Sequence, residues 1–272
     1  MLKSILAISE GGPDAAMAFG LAARIAATFG AAVDAVHFSE TNHEEIDIAA
    51  QAMPFLKPLS EGRLKARRRE SERAFHELIE PIAGSTFTAG TELTRQRVVA
   101  MGRYANLLLI GRPGTDNENI SPGTVRAALY DCARPVVIAP PNLPVPPLAT
   151  VVVAWNGSAQ AARAVGFALP FLAKANTVSI VAVAAQPEEL STDILLRNLA
   201  RHGVSAKLDT VDHGEVSGRA RGRALIAYAK DRGADLLVMG AYGHGQLSNF
   251  LGLGGAPAKV ISSCPVPLLL AH

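Results

Sequence analysis

ADLLVMGAYG, residues 234–243, is a short apolar run that ends in a turn carrying two glycines. ANLLLIGRPG, residues 105–114, has the same pattern. Apolar runs of this length, bounded by turn residues, read as strands buried on both faces of a sheet. Working outward, the likeness continues in order. KSILAISEGG (3–12) matches ATVVVAWNGS (149–158), Asp14-Ala15-Ala16 faces Gln160-Ala161-Ala162, and Gly20 faces Gly166. LYDCARPVVIAP (129–140) matches ISSCPVPLLLAH (261–272), which sets Cys132 on Cys264. Four blocks kept in order are the sign of an internal duplication.

Between the copies lies Pro140-Pro141-Asn142-Leu143-Pro144-Val145-Pro146-Pro147, with five prolines in eight residues. Proline removes a backbone donor and fixes φ, so this stretch is neither helix interior nor central strand. It reads as an extended linker between domains at 1–142 and 148–272.

Within the second copy, strands and helices alternate. The pattern predicts strands at 150–154, 178–184, 205–211, 235–239 and 266–270. Helices are expected at 159–173, 190–202, 222–232 and 257–263. The first copy follows the same plan and adds a polar helix near 61–78. Strands alternating with helices give a parallel, doubly wound α/β sheet, here twice in tandem.

Composition narrows the function. The chain is 272 residues long, 49% hydrophobic and 18% charged, with a net charge of +2. No strong overall field draws it to nucleic acid or an anionic membrane. The run 63–69, RLKARRR, is basic, but Glu61, Glu70 and Glu72 flank it, and Arg68–Glu72 is an i, i+4 pair. It reads as a solvated helix face. A second basic cluster, Arg219-Ala220-Arg221-Gly222-Arg223, precedes a helix. The two cysteines form neither a CxxC pair nor a zinc-type cluster. Each reads as a small core residue. The N-terminal apolar run is too short for a signal sequence, and no run reaches membrane-span length, so the expected location is cytoplasmic. P-loop, GxSxG and kinase signatures are lacking from the sequence, and no catalytic residue or metal site is expected.

In an open parallel sheet, ligands sit beyond the carboxyl ends of the strands where strand order reverses. Two loops of the second copy belong there: Trp155-Asn156-Gly157-Ser158 and the stretch from Gly240 to Ala256. Their glycines let a backbone approach phosphate, or serve only tight turns. Ser158 reads equally as a ligand contact or a helix cap. Trp155 and Tyr242 read as packing residues.

Residues 234–272 resemble the C-terminal part of universal stress proteins. Nucleotide-binding members of that family carry Gly, two residues, Gly, nine residues, then Gly and Ser or Thr. Here Gly240 and Gly243 fill the first positions. Gly254 follows after ten residues, Gly255 stands at the Ser/Thr position, and Pro257 replaces a nearby Thr. The resemblance places an adenine nucleotide such as ATP against Ala154, Asn156, Val183, Gly240, Gly243, His244, Gly254 and Gly255, and leaves Mg²⁺ open. Asn156 stands where the family usually has Asp. A lost hydroxyl donor to a charged group weakens binding by roughly 1.5–3 kcal/mol. In the first copy Gly111 and Gly114 remain. Glu10 takes the place of Asn156, and Asp116, Glu118 and a shorter loop to Gly123 would repel phosphate.

The implied function is a nucleotide-responsive binding module of the stress response. A nucleotide-free scaffold that acts on protein partners and a slow ATPase are the alternatives. The resemblance also suggests that Val136–Ala139 and Leu268–Ala271 pair within the chain as a built-in dimer. Association of two chains is left open.

Overall fold

The computed structural model describes residues 1–12, 14–38, 56–90, 93–113, 120–141, 145–182, 192–210, 217–241 and 256–272. The chain divides into two compact units, residues 2–132 and residues 133–272, with Met1 grouped in the latter.

In the unit 2–132 the elements run β1 (Ser4–Ser9), α1 (Asp14–Phe29), β2 (Ala32–His37), α2 (Leu56–Leu78), β3 (Thr86–Ala89), α3 (Arg95–Tyr104), β4 (Leu107–Gly111) and α4 (Pro122–Arg126). A π-helical turn, Ala127–Asp131, continues α4. The strands lie in the order β3-β2-β1-β4, and every pair is parallel.

The unit 133–272 contains β5 (Val136–Ala139), β6 (Thr150–Trp155), α5 (Ala159–Leu172), β7 (Thr177–Ala182) and α6 (Thr192–Arg201). It continues with β8 (Ala206–Thr210), α7 (Gly218–Asp231), β9 (Leu236–Gly240), α8 (Ala256–Ser263) and β10 (Leu268–Ala271). Its strand order is β5-β10-β9-β6-β7-β8. All pairs are parallel except β5–β10, where Leu269 faces Val137 in antiparallel register. The doubly wound α/β reading therefore holds, and so does the pairing of Val136–Ala139 with Leu268–Ala271.

The central strands carry the core. Leu107, Leu108, Leu109 and Ile110 of β4 are at most 1% exposed, as are Val151, Val152 and Val153 of β6. Each such side chain contributes about 1.5–3 kcal/mol on burial, so burial outweighs any single polar contact at the sheet ends. The polar contacts set register instead. Asn106 Oδ1 accepts the N–H groups of Lys3 (2.8 Å) and Ser4 (3.1 Å), and the Asn106 N–H donates to the Ser4 carbonyl (3.0 Å). Asp235 Oδ2 accepts those of Ala149 (2.8 Å) and Thr150 (2.9 Å), and the Asp235 N–H donates to the Thr150 carbonyl (2.8 Å). The duplicated blocks thus fold into the same device twice.

Of the boundaries that differ from the pattern, two have a clear physical reason. Helix α7 starts at Gly218, not 222. Ser217 accepts the Ala220 N–H and caps it, and Gly222 is interior because a Cβ there would lie 2.9 Å from the Ala256 carbonyl of α8. Strand β10 starts at Leu268, not 266. Pro267 has no N–H to give a ladder, and its carbonyl accepts from Leu237. Both cysteines are buried, and burial pushes the Cys132 thiol up to about 11, which keeps it an unreactive thiol.

Replacing Asp235 with Ala leaves the amides of Ala149 and Thr150 without that acceptor. Asp235→Ala is expected to lower stability by about 1.5–3 kcal/mol, more than Asn106→Ala, in denaturant unfolding followed by amide exchange in each half.

Candidate functional site

The order of strands reverses between β1 and β4 in one unit and between β6 and β9 in the other. At the second of these points β6 ends at Trp155 and the chain turns through Asn156 and Gly157 into α5. Gly157 has φ +71°, which favours glycine there. Asn156 Oδ1 accepts both the Ser158 hydroxyl (2.7 Å) and the Ser158 N–H (3.2 Å). Ser158 Oγ in turn accepts the Ala161 N–H at 3.1 Å. Ser158 is therefore the N-cap of α5, and Asn156 holds that cap in place.

Gly240, at the end of β9, lies directly under the start of α5. A Cβ on it would sit 2.6 Å from the Ala161 nitrogen and 2.8 Å from the Gln160 carbonyl carbon. The glycine lets the helix start approach the strand end. Beyond it, the Ala241 N–H donates to the Ala271 carbonyl (2.8 Å), and His272 Nδ1 lies 3.2 Å from the Ala241 oxygen. Ala154 is buried one residue before the strand end, paired with Met239. The structure thus brings Ala154, Asn156 and Gly240 together at the carboxyl ends of β6 and β9. Val183, Gly243, His244, Gly254 and Gly255 lie outside the described residues. Pro257 falls in the first turn of α8, which accommodates its missing N–H.

The corresponding place in the unit 2–132 is filled by the chain. Gly11 repeats the left-handed turn, with φ +81°. Glu10, buried at 9% exposure, aims its carboxylate at the start of α4. It accepts from the Thr124 hydroxyl (2.5 Å), the Ser121 hydroxyl (2.9 Å) and the Ser121 N–H (3.2 Å). Burial pushes its pKa above the ordinary 4.5, against the lowering effect of those bonds and of Arg67. Helix α2 lies over this turn. Arg67 Nε donates to the Glu10 carbonyl at 2.7 Å, and Glu70 accepts the Gly12 N–H at 2.7 Å. A Cβ on Gly11 would come within 2.5 Å of the Arg67 backbone oxygen. Gly114, Asp116 and Glu118 lie outside the described residues.

The basic run 63–69 is only in part a solvated face. Arg68 pairs with Glu72 at 2.9 Å in solvent, as its spacing implied. Arg67 instead turns inward, and Ser71 is fully buried. Positions 67, 71, 74, 75 and 79 share one face, and that stripe was the signal in the sequence. Among the described residues, no group of three or more His, Cys, Asp or Glu could hold a metal ion, and no helix is long and apolar enough to cross a membrane.

Residues 148–272 match the family model described as the universal stress protein family. This half of the chain is a universal stress protein domain. The whole chain is similar in fold to the crystal structure of a universal stress protein from Archaeoglobus fulgidus DSM 4304. That match has 14% identity and a TM-score of 0.64, and covers 99% of this chain and 98% of that one. A tandem pair of universal stress protein folds is consistent with that full-length likeness. Half-length likenesses include a universal stress protein crystallised in complex with cAMP, at 26% identity, TM-score 0.36, over 45% of this chain and 95% of that one. A protein from Mycobacterium tuberculosis H37Rv matches at 28% identity, TM-score 0.33, over 48% of this chain and 98% of its own. No curated protein matches the sequence.

In the universal stress protein domain, Gly240→Ala forces a Cβ against the backbone of α5. It is expected to cost about 1–3 kcal/mol in thermal or denaturant unfolding, because backbone rather than a flexible side chain must yield.

Proposed function

We propose that the universal stress protein domain at 148–272 is a binding module for an adenine nucleotide such as ATP, and that it acts in a stress response by changing a partner surface when occupied. The observation that carries this reading is the turn at 156–158. It sits at the carboxyl ends of β6 and β9, where strand order reverses, and opens directly into the N-terminus of the 14-residue α5. Membership of residues 148–272 in the family supports it. The nucleotide would lie against Ala154, Asn156 and Gly240, with Val183, Gly243, His244, Gly254 and Gly255 completing the contacts. Asn156 brings hydrogen-bonding groups without a negative charge, so a phosphate approaching it meets no like charge there.

One feature favours a nucleotide-free scaffold instead. Gly255 offers no hydroxyl and Pro257 no N–H at the start of α8, so the phosphate end is poorer in donors. The two readings separate in one experiment. Freshly purified protein is denatured and the supernatant examined by mass spectrometry, beside an Asn156→Ala/Gly243→Val variant. Released ATP or ADP, lost in the variant, is the expected result. Protein that comes out empty and gains no thermal stability with added ATP or ADP favours the scaffold. Phosphate release above buffer from the occupied protein would point to slow hydrolysis.

A further inference from the structure

Under helix α2 lies a chain of buried polar groups. The Gly11 N–H donates to Ser9 Oγ (3.0 Å), Ser9 Oγ meets Ser71 Oγ (2.9 Å), and Ser71 Oγ meets His37 Nδ1 (3.0 Å). His37 ends β2 beside Ser9, and it is 8% exposed. Its surroundings disfavour charge. Ser71 bonds to it from α2, the charges of Arg67, Arg68 and Glu72 on the same helix act on it, and Ser9 lies beside it on β1 with Glu10 next in the chain. Its partner on β3 is Ala89, which carries no charge, and among the described residues the charges that act on it come from α2.

The two ends of α2 are held by different forces. Towards its C-terminus Ala74 and Phe75, with Ile79 just after the helix, are buried, and the Phe75 ring packs on Phe87 at 5.2 Å. Between residues 61 and 72 the only buried residue is Ser71, and the hold on the β1–α1 turn comes from Arg67 and Glu70. Arg68–Glu72 and Arg73–Glu77 are exposed i, i+4 pairs that add little to the helix by themselves, so residues 61–72 keep few protected amides once lifted from the sheet.

We propose that residues 61–72 of α2 form an acid-released clasp over the carboxyl edge of the unit 2–132, with His37 as the proton acceptor and Phe75 as the hinge that stays docked. Closed, the clasp keeps His37 neutral and buried against Ser71, under the positive charges of Arg67 and Arg68. Lifting residues 61–72 returns His37 to water and removes both cations. Glu10 does not drive the change, because its partners Ser121 and Thr124 belong to the start of α4 and remain with it.

The closed environment lowers the His37 pKa to about 4, chiefly through burial and then through Arg67 and Arg68, against the ordinary 6.5. The open form therefore binds a proton first. Opening is unaffected above pH 6.5 and is favoured roughly tenfold per pH unit between 6.5 and 4.

Hydrogen exchange of the intact protein, expressed as protection factors so that intrinsic rates cancel, tests this. Between pH 7.5 and 4.5 the protection of residues 61–72 is expected to fall on the order of fiftyfold, while 73–79 and α7 change little. His37→Gln, which keeps a hydrogen-bonding group but cannot charge, is expected to flatten the response, and Glu10→Gln to retain it. Protection at 61–72 that follows α7 across the pH range overturns the proposal, and so does a response that survives His37→Gln. Should His37→Gln fold poorly, the His37 ring is titrated in the native protein by NMR. A midpoint below pH 5 supports the clasp, and one near 6.5 overturns it.

Discussion

The pairing of the first strand with the fourth is the constraint on which each unit depends. Parallel neighbours cannot be joined by a tight turn, so β1 and β4, or β6 and β9, meet only after three helical crossovers and two intervening strands. Their register is set at one end by a side-chain acceptor, Asn106 or Asp235, that holds the first amides of the neighbouring strand. At the other end lies the point where the strand order reverses. Burial of the aliphatic strands supplies the stability. The pinned register decides which residues reach that end.

From that common frame the two copies diverge through one position. Asn156 uses its carboxamide oxygen to hold the Ser158 cap and leaves the turn uncharged. Glu10, at the same place in the repeat, sends a carboxylate into the start of α4 and takes three donors there. A carboxylate bound to a helix start does what an external anion would do, so the chain supplies its own occupant. Helix α2 then completes the closure, and only a glycine at position 11 lets it approach so closely. The cost is a polar interior beneath the helix. Such an interior is tolerated because each group has a partner, and a histidine held neutral there makes it sensitive to protons.

The sequence by itself determined the duplication, the alternation of strands and helices, the parallel sheet and the burial of both cysteines. These rest on local periodicity and on matched blocks, which survive without knowledge of contacts. The point where strand order reverses also followed from that alternation. What it could not determine was the use of each residue there. Gly240 reads in sequence either as a phosphate-approach glycine or as a turn residue, and only the structure shows that its missing Cβ makes room for the backbone of α5. Arg67 reads as one of several solvated cations, yet it is bonded to the carbonyl of a residue 57 positions earlier in the chain. The start of α7 moved too: Ser217 caps it, and Gly222 lies inside the helix where its missing Cβ lets α8 pack closely. A residue's neighbours in sequence decide its backbone state. Its role at a site is set by groups that only the folded chain brings within a few ångströms.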